Sequence, residues 1–452
     1  VQVQGKTYSI IGAARSGIAV AKLLKQHGAE VFVSDLSPVE KMQSVRAELT
    51  QLNIAHEFGE HSERVLKCDA VVTSPGVPND APILRRAANQ GLKVIAELEV
   101  ASWFCQGPIV AITGTNGKTT TTALTGRMFD DARRQNVVGG NIGVAFSEVV
   151  EQTHEHTTAI LEVSSFQLDT IETFHPRVSA ILNITPDHLD RYEHSMENYI
   201  ASKFRIAQNQ TSGDVIVYND DDELVRKNVE ARVRKEVRRL PFSTTHALRE
   251  GAFIVDGMLK TRNAGIESDV IATDAISIKG VHNVMNAMAA TLMASAMNIS
   301  IASLRATLNN FKGVEHRLEF VRELDGVVYV NDSKATNVDS VWYALQSFTQ
   351  PIVLLLGGRD KGNDYSRLYQ LVDAHVRAIV AIGESAAKVA AAFAARKPVS
   401  TATTMEEAVH RARRVATRGD VVLLSPACAS FDWFSNYEHR GREFKRIVMS
   451  LS

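Results

Sequence analysis

Residues 108–121 read PIVAITGTNGKTTT. Four apolar residues, three of them β-branched, run into Gly114-Thr115-Asn116-Gly117-Lys118-Thr119, and a helical pattern, TTTALTGRMF, follows at once. A strand, a glycine turn and a helix N-terminus in that order present backbone N–H groups to phosphate oxygens. Lys118 can neutralise the terminal phosphates, and Thr119 can place its hydroxyl on a divalent cation. The pattern departs from the full phosphate-loop motif, because Ile112 stands where its first glycine belongs. The segment reads as a loop for ATP or GTP, with Gly114, Thr115, Asn116, Gly117, Lys118, Thr119 and Thr120 in contact.

The same alternation of short β-branched runs with helical patterns extends outward in both directions, the mark of parallel α/β layers. Upstream lie TYSIIG, a helix over about 16–27, EVFVSD, DAVVTSPG and LKVIAE. Downstream, TAILEVSS, VSAILNIT and DVIVYND lead to an alanine-rich helix over about 283–297. A third group, GVVYVNDSK, PIVLLLGG, RAIVAIG and DVVLLSPAC, consists of strands that each enter a loop. A length of 452 residues accommodates three domains. The expected fold is α/β with a Rossmann-like N-terminal domain (1–96), a central P-loop-type mononucleotide-binding domain (97–313) and a Rossmann-like C-terminal domain (314–452).

Composition narrows the function. With 50 Lys+Arg against 51 Asp+Glu the net charge is −1, which leaves no broad field for DNA, RNA or an anionic membrane. The basic stretch VRKNVEARVRKEVRRL reads as a solvated face. No run approaches the ~18–20 apolar residues that span a bilayer. The N-terminal VQVQGKTYSIIG enters a strand without the pattern of a signal peptide. Cys68, Cys105 and Cys428 are too scattered for a disulfide framework or a metal motif. A cytoplasmic protein with reduced thiols is expected.

Two further regions carry chemistry. Gly12-Ala13-Ala14-Arg15-Ser16-Gly17 opens a helix, and Asp35 ends the next strand. That is close to a dinucleotide fingerprint, but Ala14 replaces its middle glycine. A nucleotide diphosphate, NAD or a purely structural turn all suit this segment, and Asp35 suits a ribose hydroxyl or a turn cap. Glu162 in LEVSSF ends a strand where an acidic residue completes a metal site in many NTPases. His188 in DHLD suits a second cation, with Asp187 or Asp190 behind it, or sits beside a helix cap.

Taken together, GTNGKTTT, Glu162, DHLDRY, VHNVMNA, EHRLE and NDSKATN resemble the Mur ligase family, and SSFQL, NITPDHLDRY, NDSKATN and SPACASFD resemble its glutamate-adding branch. The resemblance implies transfer of the ATP γ-phosphoryl group to a substrate carboxylate, then attack by an amino acid on the acyl phosphate. The implied substrates are ATP, UDP-N-acetylmuramoyl-L-alanine and D-glutamate, handled by a monomer whose domains close around ATP. It implies two Mg²⁺ ions, one on Thr119 and Glu162, the other on His188 and a carbamylated Lys203. Lys118, Glu162, His188, Lys203 and Lys334 would be catalytic. Asn283 and Asn286 would reach adenine and neighbouring ATP groups, Arg317 and Lys334 the phosphates, and Asp332 the ATP ribose. Ser16, Asp35, Ser37 and Gly76 would hold UDP, with Asn141, Ser164, Gln167 and His188 toward the muramoyl end. Thr336, Lys361, Ser430 and Tyr437 would hold the glutamate carboxylates; Tyr437 departs from the phenylalanine of a known member. Phe431, Trp433 and Phe434 are expected in the core.

Overall fold

A computed structural model describes residues 2–141, 144–360 and 362–452. It contains three sheets. The first has β1 (Thr7–Ile11), β2 (Glu30–Asp35), β3 (Ala55–Phe58), β4 (Ala70–Thr73) and β5 (Lys93–Ala96), all parallel, in the order 3-2-1-4-5. β1 lies between β2 and β4, so its neighbours are wound in opposite directions and a crevice opens at the carboxyl ends of β1 and β4. The loops Gly12–Ala14 and Ser74–Gly76 leave the sheet there. Gly17 in the helix Arg15–Gln26 is dictated by packing, because a Cβ would lie 1.8 Å from the Gly12 carbonyl oxygen.

The second sheet is built from β6 (Ile109–Thr113), β7 (Asn136–Gly140), β8 (Thr158–Glu162), β9 (Val178–Ile181), β10 (Val215–Asn219), β11 (Arg238–Ser243), β12 (Gly251–Val255), β13 (Met258–Asn263) and β14 (Ile266–Ala272). Its order is 14-13-12-11-10-9-6-8-7. β6 again sits where the winding reverses, which is why the glycine loop after Thr113 opens onto a crevice. β6 is buried at every position, as a strand covered on both faces must be.

The fully parallel expectation fails at one edge. β12, β13 and β14 form an antiparallel meander whose turns carry Asp256-Gly257 and Ala264-Gly265, both pairs at positive φ. That is the twist a two-residue hairpin requires. The register slips opposite Val270, and the Arg305 guanidinium bonds the carbonyls of Val270 (2.6 Å) and Asp269 (2.8 Å).

The third sheet runs β15 (Glu319–Leu324), β16 (Val327–Asn331), β20 (Val421–Leu424), β17 (Ile352–Gly357), β18 (Val376–Ile382), β19 (Val399–Ala402). Its β15–β16 hairpin is antiparallel, turning at Asp325-Gly326, and the remaining pairs are parallel. Phe431 is 61% exposed and does not belong to the core, whereas Trp433 and Phe434 pack against it. Phe431, Trp433 and Phe434 lie in a turn, so neither strand nor helix periodicity governs which side chain is covered.

Residues divide into two compact units, 1–276 with 285–310, and 277–284 with 311–452. The first holds the first two sheets and the second holds the third. Among the described residues no helix is long and apolar enough to cross a membrane.

Within the first unit, Glu99 ties the segment after β5 to the central sheet. Its fully buried carboxylate accepts from the backbone N–H groups of Glu172 (3.0 Å), Thr173 (2.9 Å) and Phe174 (2.9 Å), from the Thr173 hydroxyl, and from Trp103 Nε1 (3.0 Å). Burial alone would raise its pKa, but these donors hold it below the ordinary glutamate value. A lowered folded-state pKa stabilises the protein above the unfolded value, and that contribution fades as pH falls through the folded one. Glu99→Ala strands three backbone donors and is expected to lower stability by at least about 3 kcal/mol in urea unfolding near neutral pH.

Candidate functional site

The helix Lys118–Asp131 begins at Gly117, which has φ of 86° and offers no capping side chain. Its first-turn N–H groups are therefore available to an anion. A Cβ on Gly117 would meet Asn286 Oδ1 at 2.3 Å, so the loop is narrow as well as left-handed. Asn183 fixes the loop from outside: its carbonyl accepts Thr115 N–H (2.9 Å) and its side chain accepts Asn116 N–H (2.8 Å).

Two lysines converge on this turn. Lys118 Nζ donates to the carbonyls of Gly114 (2.9 Å) and Thr115 (2.8 Å), while Lys203 Nζ donates to the Gly114 carbonyl as well (2.9 Å). Lys203 comes from the helix Met196–Phe204, is 2% exposed, and lies over the Tyr199 ring at 4.5 Å. Burial, followed by the neighbouring Lys118 charge, drives its pKa well below the lysine norm against the weaker pull of Asp187 and Asp169. The amine is thereby biased toward its neutral, nucleophilic form.

Thr119 donates its hydroxyl to Glu162 Oε2 at 2.7 Å, and Asn141 Nδ2 donates to Glu162 Oε1 at 3.2 Å. The structure thus brings together the glycine loop, Glu162, Lys203, Asn141 and Asn286, whose Oδ1 accepts the Thr121 hydroxyl at 3.2 Å. Thr120 Oγ1 is buried here without a hydrogen-bond partner. An orphaned hydroxyl beside open N–H groups, with a hydroxyl and carboxylate pair adjacent, suits a phosphate chain and a hard, oxygen-seeking cation. His188 precedes the short helical turn Leu189–Tyr192. It holds φ of 51°, its side chain is 44% exposed, and its ring meets Phe166 edge-on at 5.4 Å, with Asp187 3.6 Å away.

On the first sheet, a cavity of about 470 Å³ is lined by Gly12, Ala14, Arg15, Ser16, Asp35, Gly76 and Asn141, among others. Asp35 accepts from Ala13 N–H (2.6 Å) and Ser37 N–H (2.7 Å), and these bonds outweigh burial to lower its pKa. Ser164 and Gln167 do not line this cavity. They are buried and bonded to each other, Ser164 N–H and hydroxyl both meeting Gln167 Oε1 at 3.0 and 2.9 Å, as a helix cap.

The second unit places Asp332, Lys334 and Thr336 after β16 and Ser430 after β20. Asp332 is buried, accepts from Ser425 Oγ (2.8 Å) and Leu318 N–H (3.2 Å), and has its pKa pushed up to about 6 by burial, against the opposing charge of Arg317. Arg317 is half-buried, Lys334 lies 5.2 Å over the Tyr437 ring, and Ser430 is buried. Thr336 is half-buried, and Asn283 donates to the Lys279 carbonyl at 2.8 Å. Lys361 lies outside the described residues.

Two arginines were not anticipated. Arg191 stacks on Phe166 at 4.5 Å and donates to the carbonyls of Pro75 (3.1 Å) and Gly76 (3.2 Å), fixing the loop after β4; its place inside DHLDRY was the available signal. Arg440, 1% exposed, donates to Ser333 Oγ (2.9 Å), Ser333 O (2.7 Å), Cys428 O (3.0 Å) and Ala429 O (3.3 Å). It clasps the loop after β16 to the loop after β20. Nothing local in NYEHRGREF marks that arginine as buried.

Three sheets with an anion-binding turn at the switch point of the central one define a nucleotide-using α/β protein. Residues 6–96 match the Mur ligase MurD-like N-terminal domain, 112–294 the Mur ligase middle domain and 316–428 the Mur ligase glutamate ligase domain, and the chain belongs to the Mur ligase family. It is 48% identical over 457 residues to the UDP-N-acetylmuramoylalanine--D-glutamate ligase of Salinibacter ruber, covering 100% of this chain and 99% of that protein. The enzyme of the same name from Chloroherpeton thalassium is 45% identical over 464 residues, with 100% and 99% covered. Among solved structures, the UDP-N-acetylmuramate-alanine ligase MurC of Thermotoga maritima shares the fold with a TM-score of 0.62 at 19% identity, covering 98% of this chain and 99% of that one.

The clasp is testable on its own. Arg440→Met leaves four acceptor contacts without their donor and is expected to lower stability by about 3 kcal/mol in urea unfolding, with Arg440→Lys recovering part of the loss.

Proposed function

We propose that this chain is an ATP-dependent ligase that adds D-glutamate to UDP-N-acetylmuramoyl-L-alanine in peptidoglycan precursor synthesis. The observation that carries this reading is the end-to-end likeness to D-glutamate ligases, over a chain that retains the lysine-bearing turn, the Thr119–Glu162 pair and the buried Lys203. The N-terminal domain (1–96) takes the UDP portion, the central domain (97–313) the phosphoryl transfer, and the C-terminal domain (314–452) the amino acid.

The reaction follows from these assignments. Lys118 and the first-turn N–H groups hold the β- and γ-phosphates of ATP. The substrate carboxylate attacks the γ-phosphorus, the bond to the bridging oxygen breaks, and ADP leaves an acyl phosphate. The amine of D-glutamate attacks the acyl carbon, the tetrahedral adduct collapses, and phosphate departs with the C–O electron pair while the nitrogen loses its proton. Arg317 and Lys334 offset charge on the phosphoryl oxygens, Asp332 binds the ATP ribose, and Asn283 and Asn286 hold the adenine end. Thr336, Lys361, Ser430 and Tyr437 hold the amino-acid carboxylates. Ser16, Asp35, Ser37 and Gly76 take the UDP portion, with Asn141, Ser164, Gln167 and His188 toward the muramoyl end.

Thr119 and Glu162 would hold one Mg²⁺, and His188 with a modified Lys203 a second, whose chemistry is to neutralise crowded oxyanions. The neutral amine of Lys203 can add to CO2, forming an N–C bond and releasing a proton. The resulting carbamate offers anionic oxygens where an ammonium would repel a cation. We place the enzyme in the cytoplasm as a monomer, consistent with its three free cysteines and its use of ATP.

Phosphate release with ATP and UDP-N-acetylmuramoyl-L-alanine is expected to be stimulated by D-glutamate, and not by L-glutamate or diaminopimelate. Absence of stimulation by D-glutamate sinks the assignment and leaves the fold intact. Lys118→Ala is expected to reduce that release at least ~100-fold. Stripping dissolved CO2 from enzyme and buffers is expected to lower the rate reversibly, with bicarbonate restoring it; a rate indifferent to CO2 removes the carbamate.

A further inference from the structure

A second cavity, of about 380 Å³, adjoins the first and shares Gly12, Asp35, Gly76 and Val77 with it. The two differ in chemistry. The first holds the N-terminus of the helix Arg15–Gln26 and Asn141, a setting for a diphosphate and the sugar beyond it. The second is walled by Leu36, Val77, Pro78, Pro82 and Ile83, a setting for a flat heterocycle. Asp35 lies at their junction, where a ribose would be.

Three polar or charged side chains line the second cavity, and two are already committed. Arg86 is ion-paired with Glu63, and the two Asp35 oxygens take the N–H groups of Ala13 and Ser37. His61 is the third, and its hydrogen bonds define its tautomer. Glu57 accepts from Ser62 N–H (2.9 Å), Ser62 Oγ (2.6 Å) and Ser34 Oγ (2.7 Å). Burial works against its ionisation, yet those donors keep its pKa below the ordinary value, so it is a carboxylate and an acceptor only. The one Ser34 hydroxyl proton therefore points to Glu57. The 2.7 Å contact between Ser34 Oγ and His61 Nδ1 must then be donated by Nδ1–H. Burial lowers the His61 pKa in spite of the charges on Glu57 and Asp35, so the ring is neutral near pH 7. A neutral ring protonated at Nδ1 carries a lone pair on Nε2.

We propose that His61 reads the base of the nucleoside diphosphate, its Nε2 accepting the N3–H of uracil in the cavity beyond Asp35. This rests on the UDP-substrate reading above and adds to it a residue that selects the pyrimidine. Uracil has a donor at N3, whereas cytosine has an acceptor there, so cytosine would set two lone pairs against each other in a half-desolvated pocket. Sites built around such a bond reject analogues that lack the donor far more strongly than an apolar pocket does.

Titration calorimetry with UDP, CDP and N3-methylated UDP tests this. The wild-type protein is expected to bind UDP at least about tenfold more tightly than either analogue. In His61→Leu, UDP affinity is expected to fall about tenfold and the preference over CDP to shrink to within about threefold. His61→Gln, whose amide oxygen can accept, is expected to retain the preference. Equal wild-type binding of UDP and its N3-methyl form overturns the proposal without any variant, and so does an unchanged UDP/CDP ratio in His61→Leu. Those results leave the UDP reading standing. Failure of the wild-type protein to bind any of the three overturns both.

Discussion

The ammonium groups of Lys118 and Lys203 share a single acceptor, the carbonyl oxygen of Gly114. Two cations that close, with one of them buried, repel each other strongly at low effective dielectric, even though Lys118 also donates to the Thr115 carbonyl. The conflict has two outlets, an anion at the turn or the loss of one charge. The surrounding structure serves both. β6 delivers the turn to a crevice, Gly117 opens the helix start to an anion, and burial of Lys203 favours its neutral form. Thr119 and Glu162 then lie within hydrogen-bond distance at the mouth of the same turn.

The two glycine loops solve related problems with different means. The central loop carries a lysine and an acidic partner from the next strand, as a triphosphate in transfer demands. The N-terminal loop has Ala14 and Arg15 at its centre and opens on a helix N-terminus, Asp35 and an adjoining apolar cavity, which under the proposed function suits a ligand that is held but not cleaved. A chain with a net charge of −1 thus concentrates positive charge locally, as where Lys118 and Lys203 meet at one carbonyl.

Much of this was legible in the sequence because it is local. A β-branched run, a glycine turn and a helix pattern lie within a dozen residues, so the strands, both loops and the Glu162 position followed from spacing. The β12–β14 meander and the β15–β16 hairpin were equally local, and Asp256-Gly257 and Asp325-Gly326 were their turn signals, but the prevailing parallel alternation masked them. Other features depend on contacts far along the chain. Arg440 is buried only because the loops carrying Ser333 and Cys428, 95 positions apart, meet around it, and His61 reaches Ser34 of β2 from a loop far along the chain. Phe431 is exposed although its neighbours Trp433 and Phe434 pack, a choice made by one turn of backbone and invisible to hydropathy.

The slipped register in β14 and the Arg305 guanidinium placed on its carbonyls have a consequence for life at high protein concentration. A nine-stranded sheet that ended in a regular strand would offer a ladder of unpaired amides to any other extended chain. Here the terminal strand is interrupted by a bulge, and the Arg305 guanidinium from the helix Ile301–Asn310 occupies the Asp269 and Val270 carbonyls at that bulge. At this one of the sheet's two edges, the bulge and the arginine both work against regular pairing with another extended chain.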